Sequence, residues 1–233
     1  MKIVLINPNS TEAMTADMLR AAKVMAPSGM VLEAVTSTLG PPSIQGVEDG
    51  NRATAPLLDL VQAADEQGAD GIIIGCFDDT ALSEAKALAG CPVIGIGQAA
   101  FLACALRDWR FSVITTLSVS VPIIESNIQT YSLSSSCARV RASEIPVLEL
   151  EKSRADSRLK IRAEAVSSIN EDNVDCIVLG CAGMTSLTDE LRNDVEIPIV
   201  DPIEESVSCI AWLAGFRTAN TTPRLEISQE RSV

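Results

Sequence analysis

The sequence predicts an α/β protein of two similar lobes, each a parallel sheet flanked by helices. Three observations carry this. Short aliphatic runs alternate with stretches of helical spacing along the chain, the pattern of parallel strands joined by helical crossovers. Aromatic residues are only 3% of a chain that is 47% hydrophobic, so the core is aliphatic, as in sheets covered on both faces. The second half also repeats the first. Ala69-Asp70-Gly71-Ile72-Ile73-Ile74-Gly75-Cys76 resembles Val174-Asp175-Cys176-Ile177-Val178-Leu179-Gly180-Cys181. Cys91-Pro92-Val93-Ile94-Gly95 resembles Ile197-Pro198-Ile199-Val200-Asp201, and the strand ending Ile6-Asn7 matches the one ending Ile114-Thr115. The three matches fall in order at offsets of 105, 106 and 108 residues.

In the first lobe, the β-branched run 2–6 reads as a buried strand and stops at Asn7-Pro8. A helix follows over 12–25, with Asn9 or Ser10 placed to cap it. A second strand covers 31–35. Residues 36–50 are rich in Gly, Pro and Ser and read as a loop long enough to serve a site. Helix 51–67, strand 71–75, helix 80–89 and strand 92–96 complete the unit. The second lobe begins with helix 98–106 and strand 111–114. Helix 121–131, a weak strand near Val140, helix 153–170 and strand 176–180 follow. A short helix over 187–191, a strand over 197–200 and a helix over 204–213 end the pattern, and the tail from Ala219 reads as polar and frayed. The 233 residues divide into lobe 1, residues 1–97 with about 205–233, and lobe 2, residues 98–204. In this division the last helix crosses back to the first lobe.

Composition excludes several chemistries. The chain contains no histidine, so it holds no Ser-His-Asp triad, no Cys-His pair and no His-based zinc motif. An acid or base must be Cys, Asp, Glu, Lys or the single Tyr131. The net charge of −13, from 31 acids against 18 bases, argues against nucleic acid and anionic membranes and for a small-molecule partner. The seven cysteines are irregularly spaced with no Cys-x-x-Cys, so no metal site is expected and the thiols read as reduced. The apolar stretch 99–106 is far too short to span a membrane, and the N-terminal run is too short for a signal sequence. A cytoplasmic protein is expected. The same stretch suits either the core or a subunit interface, and a homo-oligomer is the expected assembly.

Ligands of open α/β sheets bind beyond the carboxyl ends of the strands. Cys76 and Cys181 both fall there, each ahead of a helix whose N-terminus would favour thiolate. If the lobes face each other, two equivalent thiols flank one substrate. That arrangement suits inversion of a carbon stereocentre: one thiolate removes a proton from one face while the opposite thiol returns one to the other. Backbone N–H groups after each Gly-Cys would hold the enolate charge. The remaining cysteines, 91, 104, 137, 176 and 209, read as packing residues. The turns Asn7-Pro8-Asn9-Ser10-Thr11 and Thr115-Thr116-Leu117-Ser118 hold equivalent places and offer amides and hydroxyls to a carbonyl or ureido group. Phe77-Asp78-Asp79-Thr80 reads as the first turn of the helix after Cys76, its acids serving either the helix dipole or disfavouring the thiolate.

The runs Asn7–Thr11, Gly40-Pro41-Pro42-Ser43-Ile44-Gln45-Gly46, Gly75-Cys76-Phe77-Asp78-Asp79-Thr80 and Gly180-Cys181-Ala182-Gly183-Met184 together resemble the hydantoin racemase branch of the aspartate/glutamate racemase superfamily. The resemblance runs from Lys2 to about Trp212. It implies two flavodoxin-like lobes, a site between them, and racemisation of 5-substituted hydantoins or allantoin without a cofactor. It implies Cys76 and Cys181 as the catalytic pair, with Asn9, Ser10, Phe77, Thr116, Ala182 and Gly183 lining the pocket. Gln45 departs from the branch's usual Glu, which puts a charge-dependent role there in doubt. The retained pair counts against arylmalonate decarboxylases, which keep one cysteine, and less against maleate isomerases, which keep two. Two other readings stay open on sequence alone: a different activity of the superfamily, and a two-lobed protein that binds a small ligand without chemistry.

Overall fold

Four parallel strands build each half of the molecule. A computed structural model describes residues 1–220; the polar tail expected after about Ala219 lies outside the described residues from 221 on. In the first half, β1 (Lys2–Asn7) leads through α1 (Glu12–Met25) to β2 (Val31–Thr36), then α2 (Val47–Glu66), β3 (Gly71–Ile74), α3 (Leu82–Leu88) and β4 (Val93–Gly95). Helix α4 (Ile96–Leu106) connects to the second half. There β5 (Phe111–Thr115), α5 (Val121–Thr130), β6 (Cys137–Ala142), α6 (Glu149–Lys152) and α7 (Arg154–Glu171) precede β7 (Cys176–Leu179). A 3-10 segment, Ala182–Leu187, α8 (Thr188–Asp194), β8 (Ile199–Val200) and α9 (Pro202–Asn220) follow. The sheet orders are β2-β1-β3-β4 and β6-β5-β7-β8, with every pair parallel. The repeat read in the sequence is thus one topology used twice, and it is the flavodoxin-type order.

Alternation along the strands assigns the core. Ile3 and Leu5 of β1 face a central cluster that also takes Phe111 and Val113 of β5, Val178 of β7, Phe101 of α4 and Val207 and Ile210 of α9. Val4, Ile6, Ile72 and Ile74 face the other way, onto Leu57 and Val61 of α2. Ile114, Ile177 and Leu179 face Ile161 and Ala165 of α7. The inner faces of the two sheets therefore share one core. α4 lies in it, burying Ile96, Ala99, Ala100, Phe101, Ala103 and Cys104, with Leu106 left exposed. α9 follows β8 in the chain but packs on α1, α4, β3 and β4.

Three of the departures from the expectation have a local reason. α2 begins at Val47, which shortens the expected loop, because Glu48 and Asp49 suit a first turn and the Asp49 carboxylate accepts the Gln45 N–H at 3.0 Å. Residues 77–81 are a turn, not the start of a helix: Asp79 and Ala81 take left-handed φ values of 49° and 50°, and α3 starts only at Leu82. Neither Asn9 nor Ser10 occupies the N-cap of α1, which is Thr11.

Candidate active site

In a 2-1-3-4 sheet the order reverses between the first and third strands, and a crevice opens beyond their carboxyl ends. β3 runs into Gly75-Cys76 and β7 into Gly180-Cys181. The glycine ahead of each thiol is required by close approach. A Cβ at Gly75 would lie 2.8 Å from Met18 Sδ and 3.2 Å from the Ile6 carbonyl oxygen; one at Gly180 would lie 2.8 Å from the Ile114 carbonyl oxygen. The Gly75 N–H donates to the Ile6 carbonyl and the Gly180 N–H to the Ile114 carbonyl, each at 2.8 Å. The first strand of each half so holds the thiol-bearing strand end in the same way.

The two crevices meet in one narrow cleft that is partly open to solvent. Gly75, Cys76, Phe77 and Asp78 line it from the first half, and Thr115, Thr116, Gly180, Cys181, Ala182 and Gly183 from the second. Asn9 belongs to it, but Ser10 does not: the Ser10 N–H is turned to the Pro41 carbonyl at 2.9 Å. Met14, Ile44, Ser120 and Val147 also line the cleft, not expected there from the sequence, and so does Asp78, which the sequence marks only as an acid near the Cys76 thiol. Ser120 stands as far beyond β5 as Glu12 stands beyond β1, and Glu12 is exposed on α1, so the repeat offered no cleft-lining counterpart to point at it.

Both thiols are disfavoured as thiolates, contrary to the expected helix effect. Burial pushes the Cys76 thiol far up, and the Asp78 carboxylate adds to this; the Thr80 hydroxyl, 3.4 Å from Sγ, and the Asp78 N–H act in the opposite direction. Cys181 is pushed up to about 12 by burial first, with Asp78 contributing, against the N–H groups of Gly183 and Met184. Burial outweighs these donors, and because a turn follows Cys76 and a 3-10 segment follows Cys181, neither thiol abuts an α-helix that could offset it. Asp78 itself is pushed up to about 7 by burial, and no hydrogen bond to its carboxylate occurs among the described residues.

Polar groups in the cleft are held in place. Asn7, fully buried, donates to Asn9 Oδ1 at 3.0 Å and to Thr15 Oγ1 at 3.0 Å, while Asn9 Oδ1 also accepts the Thr11 N–H at 3.0 Å. The Asn9 oxygen is thereby saturated and its amide NH2 is the end left to donate, its nitrogen lying 3.5 Å from Met14 Sδ. The Thr116 and Ser120 hydroxyls are bound by no other described residue. Phe77 is buried edge-on against Phe101 with centroids 5.3 Å apart, so it walls the cleft from the shared core. Gln45 closes the seam between the halves: its Oε1 accepts the Val147 N–H at 2.9 Å. An acceptor oxygen is what that contact uses, and Gln supplies it as well as Glu. The lining holds no Lys or Arg. Among the described residues no His, Cys, Asp and Glu cluster could hold a metal, and no helix is long and apolar enough to cross a membrane.

Fold and cleft together define a class: a two-lobed α/β enzyme that uses one topology twice around a shared cleft. Residues 3–210 match the Asp/Glu/Hydantoin racemase family, and the chain belongs to that family. It is 38% identical to a hydantoin racemase of Rhizobium meliloti, over 100% of this chain and 99% of that protein. Among solved structures, an allantoin racemase from Klebsiella pneumoniae superposes with a TM-score of 0.89 at 35% identity, covering 93% of this chain and 89% of that one. An allantoin racemase from Pseudomonas fluorescens superposes with the same TM-score at 29% identity, over 100% and 99% of the two chains.

Proposed function

We propose that this racemase acts without a cofactor on 5-substituted hydantoins or allantoin, with Cys76 and Cys181 as its two acid/base groups. The observation that carries this reading is the pair itself: one thiol from each lobe, at matched strand ends, lining one cleft. The thiolate of one cysteine takes the C5 proton and becomes a thiol. The carbanion delocalises onto the adjacent ring carbonyl. The opposite thiol gives its proton to the other face of C5 and becomes the thiolate, and solvent exchange resets the pair. The Asn9 amide and the Thr116 and Ser120 hydroxyls are the donors available to ring and substituent carbonyls. The absence of Lys and Arg from the lining favours this substrate class over free amino acids. A free carboxylate would find no cation there, and Asp78 would repel it. A hydantoin brings no fixed anionic group, and its ring carbonyl acidifies the C5–H.

The test follows optical rotation and the C5–H proton signal of single-enantiomer 5-alkyl and 5-aryl hydantoins and of allantoin in D₂O. Loss of both signals is expected, blocked by iodoacetamide and abolished by Cys76→Ala and by Cys181→Ala in folded protein. Full activity in either variant refutes the two-thiol reading. No turnover of any of these compounds refutes the substrate class.

A further inference from the structure

Two buried aspartates outside the reacting pair make the same connection from opposite ends of the chain. α4 starts with Gly95 at its N-cap, a residue without a capping side chain. The cap comes from the loop of Cys76. The Asp79 carboxylate accepts the Gly97 N–H at 3.0 Å and the Gln98 N–H, both in the first turn of α4. It also accepts the Tyr131 O–H at 2.8 Å, from the turn that ends α5. Asp79 is 6% exposed, and its own N–H donates to the Cys76 carbonyl at 3.1 Å.

In the second half the carboxylate sits on the other partner. Asp201, 1% exposed, is itself the residue ahead of α9 and accepts the Ile203 N–H at 2.8 Å. It reaches back to the chain after Cys181, accepting the Thr185 hydroxyl of the 3-10 segment at 3.3 Å and, from the first residue of α8 that this segment runs into, the Thr188 hydroxyl at 2.5 Å. In the repeat, Asp201 aligns with Gly95 and Asp79 with Met184. Each lobe thus places one buried carboxylate between its thiol loop and the helix after its last strand, drawn from the loop in one case and from the strand end in the other.

We propose that Asp79 and Asp201 are a matched pair of positioning residues, Asp79 fixing the loop of Cys76 and Asp201 the loop of Cys181. As a statement about catalysis this rests on the two-thiol reading above. As a statement about thiol placement it does not. Burial pushes both carboxyls up, Asp79 to about 7, and the donors that reach each carboxylate act in the opposite direction, favouring the charged form they hold.

Site-resolved alkylation tests it. Iodoacetamide labelling followed by peptide mapping gives a separate rate for each cysteine, with the half-exposed Cys137 and Cys209 as internal references. Asp79→Ala is expected to raise labelling at Cys76 at least fivefold and leave Cys181 within twofold. Asp201→Ala is expected to do the reverse, and each Asn variant to restore part of the wild-type rate. Tyr131→Phe and Thr188→Val remove a single hydrogen bond each and are expected to give the same selectivity at smaller amplitude, so the test survives an alanine variant that does not fold. Racemisation is expected to fall in step with the displaced thiol. Equal changes at both thiols, or none at either, overturn the proposal. If wild-type protein racemises none of the hydantoins, the proposed function fails while the labelling asymmetry still decides the placement.

Discussion

Replacing Gly95 with alanine perturbs the cleft without touching any residue that lines it. The new Cβ would stand 1.9 Å from Asp79 Oδ1 and 2.6 Å from its carboxyl carbon. Gly95 cannot retreat, since it is paired with Ile74 in β4. The carboxylate must leave, abandoning three donors: the N–H groups of Gly97 and Gln98 and the Tyr131 O–H. Hydrogen bonds to a charged group contribute about 1.5–3 kcal/mol each, so the gross loss over three is roughly 4.5–9 kcal/mol. The displaced carboxyl regains part of its hydration, which leaves a net loss of about 3 kcal/mol. For a chain of this size that lowers Tm by roughly 6–12 °C. Differential scanning calorimetry reads the shift, and racemisation at a temperature where the variant is folded reads the effect on Cys76. The control is Gly50→Ala, inside α2, where a Cβ meets nothing within 4 Å. It is expected to stabilise by about 0.5–1 kcal/mol. A Gly95→Ala protein that melts within about 2 °C of wild type refutes the claim that Asp79 is locked in its contact.

Three further outcomes follow from the same geometry. Asp78→Asn removes the charge that raises both thiols, so the alkaline rise of kcat/KM is expected to move to lower pH. Because burial raises the Asp78 carboxyl from 3.8 to about 7, the wild type loses stability as pH rises through that window, and chemical denaturation above pH 7 should show the variant more stable. In the second lobe the Arg141 guanidinium, 2.7 Å from Asp172, and the Ser112 hydroxyl hold the Asp172 carboxyl at about 2. A depressed pKa stabilises the fold above the unfolded value and the benefit disappears on acidification, so about 2 kcal/mol is expected to be lost between pH 4 and 2, and Asp172→Asn should flatten that limb of a urea titration. Gln45→Glu keeps the acceptor for the Val147 N–H and is expected to leave KM within about twofold, whereas Gln45→Leu should raise it severalfold in a steady-state assay.

How much of this was legible in the sequence depends on whether a feature is drawn from one stretch of chain or from two. The strands and most helices were, because periodicity is local: Met14, Met18 and Ala22 announce the buried face of α1 wherever it packs. The thiol pair was legible for a stronger reason. Gly180 is forced by contact with the neighbouring first strand and Gly75 by Met18 of α1 together with a tight approach to that strand, so two copies of one topology write Gly-Cys twice. The thiol acidity was misjudged because a helix effect can be read locally, while desolvation by the folded surroundings cannot. Ser10 and Ser120 show the same limit: both lie just beyond a first strand, but only the crossing of the chain decides which faces the cleft. The buried aspartates mark it most sharply. Comparing the halves aligns Asp79 with Met184 and Asp201 with Gly95, so each looks like an unmatched residue. Space holds one carboxylate in each lobe at one junction, and pseudo-symmetry there belongs to the contact, not to the chain position that supplies it. A repeat comparison therefore finds groups whose chain position is fixed by the backbone, as the two thiols are, and passes over groups defined by a contact that either partner can provide.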